Sequence, residues 1–337
     1  MLTETVLTDT LTALGYPPDA LLSTPDTVGV TTRYTFTTQG RTTVAAISQP
    51  DDLTSVAALR ARVKFTQLAA EKGLCPPIVA VDEAPAGLPA GSVLYITAAP
   101  DSAPIDEATY TTNPLPLAHF LRRLHGLAAN RPFEALAPLN VEHPQLKGLN
   151  PLTPRSALAW YLPQYAGRVA AAMPVAQTLA ALWFRLKHLY AQTQFDDNML
   201  QVTHNDLHWS KLFVSPEGDW QVAHFDTALI DDPMADFIWA LAPLTDDQRR
   251  QLLTAYGIPD FAQADWLAHW RIRYIHRLLE QAAEAAYQAF AALTGETVPG
   301  FPVQAGNVKD WQAMYLRDAG RAAELLEAEP PAHEAWA

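Results

Sequence analysis

The chain has 337 residues, 49% of them hydrophobic and 18% charged, with a formal net charge of −13. That is apolar sequence enough for a sizeable core, and length enough for about two domains. An acidic balance of this size argues against a nucleic-acid or anionic-membrane partner and is compatible with a cationic small ligand. Cys75 is the only cysteine, so no intrachain disulfide can form, as expected of a protein in a reducing cytoplasm. Residues 1–17 lack the basic region and apolar core of a signal peptide, and no uninterrupted apolar run reaches transmembrane length.

In chain order, Val6, Leu7, Leu11 and Leu14 fall at helical spacing and predict a helix over 3–15, ended before Pro17-Pro18. From Val28 to Ile47 the pattern turns to β, with Gln39-Gly40 as the turn of a hairpin. A helix is expected over 53–72, then strands over 78–81 and 92–97. Leu117–Leu127 reads as a helix, and 131–155 as a proline-rich loop. Helices follow over 156–165 and 175–193. Another begins at Asp246, read as its cap, and closes at Gly257. A long helix or helix pair covers 263–293, and a last helix 308–327.

The densest chemistry lies between Thr203 and Asp236. It opens with His204-Asn205-Asp206, continues through Lys211 and Ala223-His224-Phe225-Asp226, and ends in Asp232-Pro233-Met234-Ala235-Asp236. This stretch resembles the catalytic region of aminoglycoside phosphotransferases and choline kinases, which reads H-x-D-x-x-x-x-N, then a strand ending I-D-[WF]-E, then a loop with D-P-x-x-D. The resemblance extends from about Val28 to Ala322. It implies an α+β, bilobal protein-kinase-like fold: a small β-rich N-lobe over 1–97, a hinge at 98–101 and a mainly helical C-lobe over 102–337. In an ordinary member ATP would be the phosphoryl donor and magnesium its metal. The resemblance makes Asp206 the catalytic carboxylate, accepting a hydroxyl proton from a small-molecule acceptor. It puts adenine against the hinge backbone, and Gly29 in the phosphate loop.

The departures from the family pattern matter as much. The metal-binding asparagine becomes Lys211. Without a gap, the metal aspartate becomes His224 and the trailing acid Asp226; removing two residues before Asp232 would instead put Asp226 on the metal. Magnesium wants oxygen ligands in octahedral geometry. Two unit charges about 4 Å apart near a surface interact by roughly 4 kcal/mol, so an ammonium facing a divalent ion costs about twice that. Imidazole suits zinc, copper or nickel better. The phosphate loop region keeps only Gly29. The family's strand-borne lysine falls on Ala46, and the helix that should carry its glutamate partner has Arg60, Arg62 and Lys64. Arg62 and Arg33 are candidates for a relocated cation, although the exposure habits of arginine favour ordinary solvated side chains.

Two further groups stand out. His125, in a helix that resembles the family's segment behind the catalytic loop, reads as a packed structural histidine. Trp266, Trp270 and Tyr274, with Trp311 and Tyr315, could line a cation-binding pocket beside Asp265, Glu280 and Glu284, but such a stripe is more often core. His269 and His276 lack a partner at metal-ligand spacing.

Three functions remain open on these residues. The first is a pseudokinase or small-ligand-binding protein with a degraded ATP·Mg site, its Lys211 ammonium paired with Asp206 or Asp226. The second is an active phosphotransferase with rebuilt nucleotide binding, in which Lys211 contacts phosphates. The third is another transfer chemistry in the same cleft, with His224 or His208 as base.

Overall fold

The computed structural model describes residues 3–23, 25–28, 30–50, 54–100, 102–127, 166–167, 169–192, 201–297, 303–304 and 306–328. Gly29, Asp101, the loop 131–155 and the helix expected over 156–165 lie outside the described residues. The chain packs as two compact units. The first joins Met1–Lys147 to Asp197–Asp260, and the second joins Gly148–Asp196 to Phe261–Ala337. The segment 98–101 lies within the first unit.

The first unit begins with α1 (Glu4–Ala13), capped by the Thr3 hydroxyl, and a β-sheet. Its strands are β1 (Ala20–Leu21), β2 (Asp26–Val28), β3 (Thr31–Thr38), β4 (Arg41–Ser48), β5 (Ile78–Asp82) and β6 (Val93–Ala98). The order is β1-β3-β4-β6-β5, with β2 also on β3, and every pairing is antiparallel. Gln39 and Gly40 both have positive φ, 51° and 71°. That is what a two-residue hairpin turn matching the strand twist requires.

Period-two alternation sorts the sheet's side chains. Tyr34, Phe36, Ala45, Ile47, Leu94 and Ile96 share one face and bury Leu7 and Leu11 of α1 against it. Ala46, Val93 and Tyr95 share the other, where α2 (Val56–Glu71) lays Leu59 and Val63. Each large apolar side chain so buried contributes on the order of 1.5–3 kcal/mol. The same alternation turns Arg33, Thr35, Val44 and Thr97 to the α2 face, beyond the reach of its apolar stripe. The site is built on those residues.

The rest of this unit is α3 (Glu107–Thr112), α4 (Leu115–Gly126), β7 (Gln201–Thr203), β8 (Leu212–Val214), β9 (Trp220–Val222) and β10 (Leu229–Asp231). It ends with α6 (Met234–Leu241) and α7 (Asp246–Tyr256). β7 pairs β10, and β8 pairs β9. The cap of α7 is Thr245 in a full capping box with Gln248, and not Asp246 as the sequence suggested; Gly257 ends the helix at φ 115°. The Asp-Pro segment expected as a loop starts α6, because Pro233 already has helical φ.

In the second unit the described helices are α5 (Met173–Ala191), α8 (Asp260–Thr294) and α9 (Val308–Leu325). Trp270 stacks on Tyr274 at 5.4 Å, and Trp270 and Tyr315 are buried. At these residues the aromatic stripe is packing. No helix among the described residues is long and apolar enough to cross a membrane. The fold is α+β and protein-kinase-like, a β-rich N-terminal part followed by a mainly helical C-terminal part.

Candidate functional site

Asp206 stands on the loop after β7, and that loop is held from behind. The Asp236 carboxylate, fully buried at the start of α6, accepts the backbone N–H of His204 at 2.8 Å and of Asn205 at 2.7 Å. His125 adds a third contact, its Nε2 3.1 Å from the same carboxylate and its Nδ1 2.7 Å from the Tyr256 hydroxyl. His125 is therefore the structural histidine that its helix implied. Asn205 sits at φ +65°, in the left-handed region that asparagine tolerates better than most residues. The Thr227 hydroxyl closes the loop on the His204 carbonyl at 2.9 Å.

The tautomer of His204 follows from its neighbours. Its Nε2 faces the His224 carbonyl at 2.9 Å, which can only accept, and its Nδ1 accepts the Asp206 N–H at 3.3 Å. Burial pushes its pKa below the ordinary value. His204 is thus a neutral strut that ties Asp206 to the 224–226 turn.

Lys211 ends a short 3-10 turn, Trp209–Lys211, and its ammonium donates to Asp206 Oδ2. The pair is about one-quarter exposed, 26% for Lys211 and 28% for Asp206. His208 lies beside them. Burial, and then the Lys211 charge, lower its pKa, and its Nδ1 accepts from the Ser210 N–H at 3.2 Å.

The second cluster surrounds Asp226. Arg33 donates to Oδ2 from Nε at 2.8 Å and from Nη2 at 2.5 Å, and the Tyr95 hydroxyl donates to Oδ1. Arg33 also reaches Asp26 at 3.1 Å and His224 Nδ1 at 3.0 Å. Burial alone would raise the Asp226 carboxyl; the Arg33 guanidinium and the Tyr95 hydroxyl overcome that and hold it below the usual carboxylate range. Tyr95, fully buried against a carboxylate, is pushed far upward. Arg33 has no acceptor to offer, so His224 Nδ1 must accept and the proton sits on Nε2. Burial outweighs the nearby Asp226 and pushes His224 down to about 3. An imidazole so fixed, its basic nitrogen already occupied, is poorly suited to act as a base.

Sequence reasoning left Arg33 as an ordinary surface arginine; it is 9% exposed. Tyr95 went unnoticed. Both could have been found by strand alternation. In register, Arg33 pairs with Ala46, and Ala46 with Tyr95, so the three form one cross-strand row. The strand on which the resemblance expected a cation at Ala46 lies between a cation on one side and a phenol on the other. Arg62 is engaged elsewhere, its Nε 3.4 Å from the Ala228 carbonyl.

These residues do not fit magnesium. Of the two positions where the resemblance expects oxygen ligands, one holds an ammonium bound to Asp206 and the other a neutral imidazole whose Nδ1 faces a guanidinium. If Asp226 is taken as the metal ligand, both its oxygens already receive hydrogen bonds from Arg33 and Tyr95. A hard cation would have to displace two buried donors to reach it.

Beside this cluster lies a cavity of about 220 Å³, lined in part by Arg33, Ala46, Tyr95 and His224.

Comparison with known proteins agrees with this architecture. Spectinomycin phosphotransferase, solved with ADP and spectinomycin, matches over 97% of this chain and 98% of its own, with a TM-score of 0.61 at 10% identity. The choline kinase of Streptococcus pneumoniae matches over 96% and 98%, with a TM-score of 0.52 at 16% identity. A phosphotransferase solved with GDP and kanamycin matches over 95% and 97%, with a TM-score of 0.55 at 14% identity. No curated protein sequence matches the chain. The model of the phosphotransferase enzyme family matches residues 24–267, a span that holds the whole site, and the chain belongs to that family.

Proposed function

We propose that this chain is a family member whose ATP·Mg site has been replaced by internal ion pairs, a pseudokinase that binds a small ligand without transferring phosphate. One observation carries the reading: each carboxylate of the site is already held by a cation of the protein itself, Asp206 by Lys211 and Asp226 by Arg33. With Lys211 on its Oδ2, Asp206 has one oxygen fewer to offer an acceptor hydroxyl.

A thermal-shift comparison of ATP with and without magnesium tests this. A ligand at one hundred times its dissociation constant stabilises a fold by about 2.7 kcal/mol. The expected result is no shift with ATP·Mg; a magnesium-dependent shift would contradict the reading.

A second reading is favoured by the retained Asp206 and by Arg33 standing opposite Ala46. In it the chain is an active phosphotransferase whose Lys211 and Arg33 take up the phosphate charge in place of metal. It requires nucleotide binding that is indifferent to magnesium, which the same experiment would reveal.

A further inference from the structure

The cavity beside Asp226 has a regular floor. Two cross-strand rows of the sheet tile it. Arg33, Ala46 and Tyr95 form the row nearer Asp226, and Thr35, Val44 and Thr97 the row beyond. The central strand contributes the two apolar tiles, Val44 and Ala46. The flanking strands contribute a hydroxyl on each side in the outer row. Neighbouring strands lie about 4.8 Å apart, so Thr35 and Thr97 are roughly two such steps from one another. His224, which also lines the cavity, keeps its proton on Nε2 because Arg33 occupies Nδ1.

The charges here are compensated before any ligand arrives. Arg33 spends its donors on Asp226, Asp26 and His224, and Lys211 spends its ammonium on Asp206. Three carboxylates thus face two cations, which leaves no surplus positive charge for a phosphate ester. The segment after β6 is equally unhelpful to a purine. The Ala98 N–H goes to the Pro77 carbonyl at 3.3 Å, the Ala99 N–H goes to the Thr42 carbonyl at 3.2 Å, and Pro100 has none. The volume, about 220 Å³, falls below the roughly 300–1,000 Å³ of pockets for drug-sized ligands.

We propose that this cavity binds an uncharged hydroxylated ring, of monosaccharide or cyclitol size, and not a nucleotide. Such a ring has an apolar face for Val44 and an edge of hydroxyls. Hydroxyls donate and accept, as Thr35 and Thr97 do, and can accept from His224 Nε2–H while donating to Asp26. The proposal rests on the loss of the ATP·Mg site argued above.

The test is saturation-transfer NMR on the full chain with matched pairs: glucose and glucose 6-phosphate, myo-inositol and its monophosphate, adenosine and AMP, with ATP·Mg as a separate arm. The expected result is transfer to glucose or inositol at millimolar concentration, with the phosphorylated member at least about tenfold weaker because its charge finds no free cation and meets one carboxylate in excess. The Thr35→Val/Thr97→Val variant, which keeps shape and strand propensity, should lose the signal, as should His224→Phe. A phosphorylated member binding as well as its parent would overturn the proposal. So would silence from both uncharged rings, or a signal that survives both variants. Binding of ATP·Mg would bring down the pseudokinase reading as well, whereas its absence alongside silent rings would remove this inference alone.

Discussion

The site contains two ion pairs of similar chemistry and opposite energetic character, and truncating each cation to methionine separates them. The Arg33 and Asp226 side chains are 10% and 3% exposed. Arg33→Met therefore strands a buried carboxylate with only the Tyr95 hydroxyl to satisfy it, and breaking a buried pair from one side costs about 3–5 kcal/mol. Lys211 and Asp206 are 26% and 28% exposed, so water can replace the lost ammonium. Exposed pairs contribute only about 0–1 kcal/mol, and Lys211→Met should fall in that range. Hydrogen exchange of the β3 and β4 amides reads the opening free energy of the sheet without requiring both units to unfold together. A double variant, Arg33→Met with Asp226→Leu, should recover most of the loss, because the penalty belongs to the orphaned charge. The reasoning is refuted if Lys211→Met costs as much as Arg33→Met, or if Arg33→Met alone costs less than about 1 kcal/mol.

Other outcomes follow from the same geometry. Between the ordinary histidine value of 6.5 and the folded value of about 3, the unfolded chain binds a proton at His224 that the folded chain refuses. Stability should therefore fall as pH drops through that window, by up to about 1.4 kcal/mol per pH unit for this group. His204 and His208, also lowered, act in the same direction. His224→Phe should flatten the slope by up to one proton in urea titrations run between pH 7 and 4, and an unchanged slope would show that His224 titrates freely. Asn205 sits at φ +65°, so Asn205→Ala should cost about 1 kcal/mol more than Asn205→Gly in urea denaturation. Asp236→Ala removes the acceptor for two backbone amides and His125, and should lower the unfolding midpoint more than either change at Asn205. Ala46→Lys should destabilise, and not rebuild the family's cation, since position 46 is 1% exposed under Leu59 and Val63 and directly opposite the Arg33 guanidinium. A stable, soluble Ala46→Lys chain would contradict that packing argument.

Much of the fold was readable because its signals are local. The Gln39-Gly40 turn, the period-two strands around it and the Gly257 stop each specify geometry within a few residues. Asp206, Lys211 and His125 were legible through a motif at fixed spacing. What escaped was non-local. Nothing near Arg33 in sequence announces that it will meet Asp226, 193 residues away. Only the strand register puts Arg33, Ala46 and Tyr95 in one row, and register depends on pairings that a single strand does not encode. The α7 cap was misplaced by one residue because Thr245 and Asp246 are both good caps, and only the reciprocal Gln248 bond decides between them. The Asp-Pro start of α6 was read as loop for a related reason, since proline can open a helix as well as break one.

The central claim is that this site lost ATP·Mg because its own cations took the place of the metal, and a titration of ATP with magnesium tests it most directly. Lys211→Asn with His224→Asp removes the ammonium and supplies a carboxylate at the two positions in question. Measured by calorimetry, the wild-type chain should show no magnesium-dependent binding, while the double variant should gain magnesium-dependent binding of ATP, weak because the Ala98 and Ala99 amides stay occupied, with little turnover. If the wild-type chain binds ATP·Mg as tightly as the double variant does, the account is wrong and Asp206 is a working catalytic base.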